Sequence, residues 1–371
     1  MQTENGMSKR QYQALSSLCS KYGEAVDLLA LAASAAAARC WLRERRLQAN
    51  VLNGAYALAA RLNSALWYGI GVIFCNKLRV INCFHFPFRT PLPRAWIDRY
   101  ELIVCFYAWP FHLLELARAG EKVVVDTGDV MANRHERIGK RRWVSLSAAH
   151  EATLLRAHGK CVAISESDAL EFERLYGVRP PVLPFIPPEH AALMQLADST
   201  LPQRAGFLGA PSYVNEQILR LLAEPPFLDC LRAAGVELLI AGGICRTMDR
   251  SVLGALAKGG ARIVGSADCL VDYYRQIGAT VNPVGPSTGA KIKSIETLVA
   301  GRSLITTRWG VDAALAEAFP GQVQFIDWPV SPAKLGELCV GALRTGGAGR
   351  RATSETYVRE VARIMQEVLS A

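Results

Sequence analysis

Residues 280–312 read TVNPVGPSTGAKIKSIETLVAGRSLITTRWGVD, and the order of elements in them decides the fold class. Residues 280–284 are a short apolar run of strand type. Residues 285–289 are a loop with glycine at both ends, which lets a backbone lie close to a ligand. Ile292, Ile295, Leu298 and Val299 recur at helical spacing and predict a helix from about Ala290 with one core-facing stripe. Gly301 ends that helix, and residues 303–307 are the next strand. Strand, glycine loop, helix, strand is the repeating unit of a parallel α/β sheet.

The charges at the start of this helix run against expectation. A helix N-terminus carries partial positive charge and favours Asp or Glu. With Thr288 as the N-cap, a capping box places Glu or Gln at position 291. The chain has Lys291 there and Lys293 just after. Each cation in an exposed first turn costs roughly 0.3–1 kcal/mol. Two readings follow. The lysines are solvated, with Lys293 paired to Glu296 one turn on. Alternatively an anion sits on the loop among free backbone N–H groups and two ammonium groups, and a diphosphate fits that description. Gly289-Ala290-Lys291 lacks the Gly-Lys-Ser/Thr order of a Walker A loop.

Outward from this stretch the same alternation continues. Strands are predicted at residues 26–31, 79–83, 102–107, 122–126, 160–165, 205–209, 236–241, 262–264 and 323–326. Helices are predicted at residues 8–23, 49–76, 110–119, 147–157, 166–176, 214–222, 270–277 and 353–369. Five prolines between residues 180 and 188 mark a domain edge, and Gly346–Gly349 a flexible break. The chain is therefore read as two Rossmann-like halves, with the cleft between them as the default binding site.

The 371 residues suffice for two cored domains. Lys and Arg number 42 against 33 Asp and Glu, a net charge of +9, which points to anionic partners. Nucleic acid is the lesser reading, because no nucleic-acid motif or aromatic platform accompanies the charge. None of the ten cysteines forms a Cys-x-x-Cys pair, and several lie in apolar runs (Cys83, Cys105, Cys161), as buried reduced thiols of a cytosolic protein do. The first ten residues are polar, so no signal peptide is read. The uncharged runs at 28–38 and 62–76 fall short of the ~20 residues that a span needs. Basic and apolar residues mix around Trp41, Arg43, Arg45, Arg46, Trp67, Tyr68 and Phe74. That mixture suits either ordinary core helices or peripheral attachment to the inner membrane face.

The pattern Gly-x-Lys-x-Lys-x-x-Glu, then Ala-Gly, a strand and Thr-x-x-Gly, resembles the C-terminal domain of retaining GT-B glycosyltransferases of the group 1 type. Upstream, FLGAPSYVNEQILRLL is similar to that family's first C-domain βα unit, and IVGSADCLVDYYRQIGATVNP to its base-binding turn and following helix. VVVDTGDVMANRHER, with RWVSLSAAHEATLLRAHGKCVAISESDA after it, resembles the segment that begins Asp-Thr-His-Asp-Val in relatives. SKRQYQALSSLCSKYGEAVDLLAL resembles the first helix and second strand. The resemblance covers most of the chain. It implies an α/β GT-B fold of two Rossmann-like domains facing across a cleft, with the N-terminal domain lacking its usual first strand. The implied boundaries are residues 1–185 for the acceptor domain, 186–203 for a linker and 204–350 for the nucleotide-sugar domain. Residues 351–371 are a terminal helix expected to pack back toward the N-terminal domain.

The resemblance also implies the chemistry. A UDP- or GDP-sugar gives up its sugar to a glycan or lipid-linked acceptor with retention, without a metal ion or other cofactor. Glu296 contacts the ribose hydroxyls. Thr288, Gly289, Ala290, Lys291 and Lys293 lie against the sugar and diphosphate, with Gly209 after the first C-domain strand. Gly265 and Ser266 hold the base by their backbone. Asp129 and His135 are the candidate catalytic residues, and Tyr107, Trp109 and Arg134 face the acceptor. The chain departs from the family at four places. Thr288 stands where many relatives have the first glutamate of a Glu-x7-Glu pair, and Gly128 where they have the active-site histidine. Ser212 and Asn215 stand where they have a diphosphate-binding Arg and Lys. The chain also starts one βα unit late. These departures define the alternative, a catalytically inactive relative that binds a nucleotide sugar or a partner enzyme. A sugar-nucleotide epimerase ranks lower, because no acid/base carboxylates can be placed across the cleft. A dehydrogenase ranks lower still, for want of Gly-x-Gly-x-x-Gly. The expected location is the cytoplasm, with membrane association.

Overall fold

The structure is a computed structural model. It describes residues 6–22, 26–28, 50–51, 98–106, 122–132, 148–157, 160–265, 267, 269–287, 289–344 and 350–368. The chain divides into two compact units, one of residues 11–184 and 367–371, the other of residues 1–10 and 185–366. Both are built on parallel sheets.

In the first unit, helix α1 (Gly6–Tyr22) contributes everything after Arg10. Strands β1 (Asp27–Leu28) and β2 (Asn50–Val51) pair in parallel. The expected helix at 49–76 is thus corrected at its start: β-branched Val51 suits a strand, and pairing with β1 overrides the helical spacing read there. Strands β3 (Ile103–Phe106), β4 (Val123–Asp126) and β5 (Lys160–Val162) form a second sheet in that order. Cys105, Val123, Val125 and Cys161 pack against Ala152 and Leu155 of α2 (Ala148–Ala157) and against Phe172 and Tyr176 of α3 (Glu166–Tyr176). Ser165 caps α3, accepting from the Asp168 N–H at 3.2 Å. The expected elements at 79–83 and 110–119, the runs at 28–38 and 62–76 and the break at 346–349 lie outside the described residues, apart from Leu28.

The second unit carries the larger sheet. Residues 186–203, expected as a linker, are packed instead. They include helix α4 (His190–Met194), and Ile186, Leu193 and Leu196 share a core with Leu298, Val299, Tyr357 and Val361. Prolines here mark irregular backbone rather than exposure. Then follow β6 (Arg204–Leu208), α5 (Tyr213–Leu222), α6 (Pro225–Ala233), β7 (Glu237–Ala241), α7 (Ile244–Thr247), α8 (Arg250–Lys258) and β8 (Arg262–Gly265). After them come α9 (Leu270–Arg275), β9 (Ala279–Asn282), α10 (Ile292–Val299), β10 (Ser303–Thr306), α11 (Ala313–Ala318), β11 (Val323–Phe325), α12 (Pro332–Arg344) and α13 (Arg350–Val368).

The six strands are parallel in the order β11-β10-β9-β6-β7-β8. Leu238 and Ile240 point into one core, and their neighbours Leu239 and Ala241 into the other. That is the period of two expected when helices cover both faces. Helix α13 packs on this unit as far as Gln366: Tyr357 Oη donates to the Phe185 carbonyl at 2.9 Å, and Arg350 Nη1 to the Gly301 carbonyl at 2.7 Å.

Candidate functional site

The order of the six strands contains one reversal. From β6 the chain moves one way, to β7 and β8, then returns to β9 on the other side of β6 and continues to β10 and β11. In an open parallel sheet, the crevice at the carboxyl ends of the two strands flanking such a reversal is where ligands bind. Here those ends are the loop after Leu208 and the loop after Asn282.

Lys293 spans this crevice. It rises from α10, and its ammonium donates to Asn215 Oδ1 on α5 at 2.8 Å. It also stands 4.3 Å from the centre of the Phe207 ring, a cation–π distance. Asn215 is aimed by its own donation to the Ala210 carbonyl at 2.8 Å. Burial pulls the Lys293 pKa down to about 7; Glu296 acts against that pull, and Lys291 adds to it. The pairing of Lys293 with Glu296 read from the sequence is replaced by this contact across the sheet.

The helix start is also corrected. Lys291 is the N-cap, at φ −90° and ψ 88°, so α10 begins at Ile292 rather than near Ala290. The Lys291 ammonium turns back to the Gly289 carbonyl at 2.6 Å. The first turn therefore holds one lysine, not two, and among the described residues neither an acid nor a capping side chain answers its N–H groups. Thr288, expected as the cap, lies outside the described residues.

Three residues after Lys293, Glu296 is fully buried. Its Oε1 pairs with the Lys9 ammonium. Its Oε2 lies 3.3 Å from Tyr274 Oη, which is also 3.2 Å from the Lys293 carbonyl. Burial pushes the Glu296 pKa up; Lys9 and Tyr274 pull it down, and Glu189 pushes it up further. Tyr274 is itself fixed, since Arg302 Nε donates to its carbonyl at 2.9 Å. Thr297 Oγ1 donates to the Lys293 carbonyl at 2.6 Å and lies 2.9 Å from Thr280 Oγ1, and Asn282 Nδ2 donates to Ser294 Oγ at 3.0 Å. These contacts lock α10 onto β9.

Glycines close the neighbouring strand ends. The Gly209 N–H donates to the Ala241 carbonyl at 3.0 Å, and the Gly242 N–H to the Gly265 carbonyl at 2.5 Å. Gly242 has φ 105°, and a Cβ there would stand 2.3 Å from the Gly209 carbonyl oxygen. A side chain at 242 would therefore separate β6 from β7.

Gly209, Gly265, Gly289, Ala290, Lys291, Lys293 and Glu296 all belong to the second unit. Ser266 lies outside the described residues, as do Tyr107, Trp109, Arg134 and His135. In the first unit Asp129 is buried in a tight turn, its N–H donating to the Thr127 carbonyl at 2.7 Å. Gly128 has φ 66°, and its N–H donates to Asp126 Oδ1 at 3.2 Å, so the turn itself selects glycine. Sequence reasoning missed Lys9, Phe207, Gly242 and Tyr274. The Gly242-Gly243 pair after a strand was a readable signal. The pairing of Lys9 with Glu296 had none, being 287 residues apart.

No family model and no curated protein matches the chain. Solved structures do. HepE of Anabaena in complex with UDP-glucose is similar at a TM-score of 0.60 and 13% identity, covering 100% of this chain and 97% of that one. A glycosyltransferase from Rickettsia africae is similar at 0.55 and 13% identity, covering 89% and 87%. WaaG, a glycosyltransferase involved in lipopolysaccharide biosynthesis, is similar at 0.53 and 14% identity, covering 95% and 90%. The fold is the α/β fold of the GT-B glycosyltransferases over nearly the whole chain.

Proposed function

We propose that the chain is a glycosyltransferase. It moves a sugar from a nucleotide diphosphate sugar to a glycan or lipid-linked acceptor, with retention of configuration and without a metal ion. The observation that carries this reading is the Lys293 ammonium at the β6/β9 reversal, beside a helix N-terminus that carries no acid. An anion there meets a cation and a helix N-terminus that, among the described residues, no side chain caps, which is what a departing diphosphate requires. The positive charge that relatives draw from side chains after the first C-domain strand comes here from α10 and reaches the same place through Asn215.

Glu296 takes the ribose hydroxyls. Thr288, Gly289, Ala290 and Lys291 line the sugar and diphosphate, and Gly209, Gly265 and Ser266 shape the nucleoside end. Asp129 and His135 serve the reacting sugar, with Tyr107, Trp109 and Arg134 toward the acceptor. Of UDP and GDP, uridine is favoured because the HepE structures hold UDP and UDP-glucose. The acceptor belongs to a surface polysaccharide or glycolipid. The net charge of +9 suits work at the anionic inner face of a membrane. Among the described residues no helix is long and apolar enough to cross one.

The test is calorimetric titration with UDP, GDP and UDP-glucose, followed by product detection with the sugar donor. Wild type binds UDP. Lys293→Met and Glu296→Ala each weaken binding about 10- to 150-fold, the range for a charged hydrogen bond. Unchanged affinity in both variants removes the site.

A further inference from the structure

Glu296 presents a problem that its own helix does not solve. Its side chain is 2% exposed, and a buried carboxylate tends to hold its proton. A protonated acid is a poor acceptor for ribose hydroxyls. Among the described residues the groups facing it are Lys9 on α1, Tyr273 and Tyr274 on α9, Lys293 on its own helix, and Glu189 just before α4, which works against ionisation. Lys293 is turned toward Asn215. The cation in contact with the carboxylate is therefore Lys9, itself 14% exposed and supplied from the opposite end of the chain.

We propose that Lys9 is a positioning residue of the donor site. It holds Glu296 ionised and fixes the carboxylate so that its remaining lone pairs meet the two ribose hydroxyls. A carboxylate has about four acceptor positions. Among the described residues Lys9 occupies one on Oε1 and Tyr274 one on Oε2, which leaves one on each oxygen, the arrangement that a vicinal diol needs. This rests on the ribose-binding reading of Glu296 and adds to it the group that keeps Glu296 charged. Lys9 lies outside every donor motif recognised in the sequence.

The experiment measures UDP affinity by calorimetry from pH 5 to pH 8 for wild type, Lys9→Met, Lys9→Arg, Glu296→Gln and the Lys9→Met/Glu296→Gln double variant. Without Lys9 the Glu296 pKa rises, so affinity is lost as pH falls through a higher value than in wild type. The acid limb of the Lys9→Met profile is expected to move up by about one pH unit, with UDP affinity down about tenfold at pH 6. Lys9→Arg restores both. The double variant is no weaker than Glu296→Gln and has no acid limb from this group. Should Lys9→Met not fold, Lys9→Gln keeps a donor, removes the charge and reads the same limb.

A loss of affinity equal at every pH would make Lys9 a packing residue and overturn the proposal. So would a wild-type profile in Lys9→Met while Glu296→Gln is weakened, an outcome that leaves the ribose reading standing. Wild-type affinity in Glu296→Gln would sink both.

Discussion

Each unit buries a glutamate beside a tyrosine, and the two carboxylates are held in different ways. Glu151 in the first unit accepts from the Met131 N–H at 2.8 Å, the Ala132 N–H at 2.9 Å and Tyr176 Oη at 2.6 Å. Burial pushes its pKa up, and these three donors pull against that. The donors are the chain's own backbone and one packed ring, so the carboxylate is used to pin residues 131–132 against α2 and α3. Among the described residues Glu296 has one cation and one hydroxyl, with lone pairs to spare. A buried carboxylate filled by its own backbone maintains the fold; one held by a cation and left partly open is ready for a ligand.

The most direct way to break this contrast is to put glutamine at each position. Glu151→Gln sets an amide –NH2 against the Met131 N–H in one orientation and the Ala132 N–H in the other, so donors face donors. We expect a loss of about 3–5 kcal/mol in urea unfolding, from one lost charged hydrogen bond plus buried donors left unmatched. UDP affinity should stay within about twofold, the error of treating the two sites as independent. Glu296→Gln should do the reverse, weakening UDP while moving the unfolding midpoint little. If both substitutions act on the same observable, the contrast is wrong.

The two units also differ in how far the sequence reveals them. The four central strands of the second unit, β6, β7, β9 and β10, are buried on both faces, so runs such as LLIA in β7 and the buried SLIT of β10 stand out in the sequence. Their predicted bounds fall within a residue or two of the observed ones. The start of α10 is not legible in the sequence, because Thr288 looks like a cap, whereas the backbone at Lys291 is not yet helical. The motif Gly-x-Lys-x-Lys-x-x-Glu located Lys293 and Glu296, but not their partners. Asn215 and Lys9 are 78 and 287 residues away from them, and local periodicity carries no information at that range. In the first unit, Asn50–Val51 shows the opposite failure: a short strand exists only because Asp27–Leu28 is there to pair with it. Tertiary pairing decided what local spacing could not.

Lys293 extends the comparison from carboxylates to cations. Lys9 has a carboxylate partner, whereas Lys293 among the described residues has an amide oxygen and a ring. With its pKa pulled to about 7, the amine loses its proton as pH rises past that value, whereas a bound diphosphate would keep it protonated. UDP affinity should therefore fall about tenfold per pH unit above 7 until the pKa of the complex is reached, with proton uptake on binding. In Lys293→Met this basic limb should vanish. The unfolded chain holds the lysine proton up to its ordinary pKa of 10.5, so the folded state is penalised fully below about pH 7 and less as pH rises toward 10.5. Lys293→Met should then raise the thermal midpoint by about 2–4 °C at pH 7 or below, a gain that fades by pH 10. A midpoint that drops instead would show that Lys293 is held for stability.

The two tyrosines separate the sites most finely. Tyr176 donates to Glu151 at 2.6 Å inside the core, whereas Tyr274 Oη stands 3.3 Å from Glu296 and shares its reach with the Lys293 carbonyl. Tyr176→Phe leaves a charged oxygen short of a donor in a closed site, and should cost about 1.5–3 kcal/mol in unfolding with no change in UDP binding. Tyr274→Phe removes a longer bond from a carboxylate that Lys9 still neutralises, so it should cost under about 1 kcal/mol. It frees Glu296 Oε2 to turn, however, and UDP affinity should drop about three- to fivefold through lost orientation rather than a lost contact. Double-mutant cycles check the assignment: Tyr176→Phe should couple to Glu151→Ala in stability, and Tyr274→Phe to Glu296→Ala in UDP binding. Coupling of Tyr274 and Glu296 in stability alone would place Glu296 with Glu151 as a structural carboxylate.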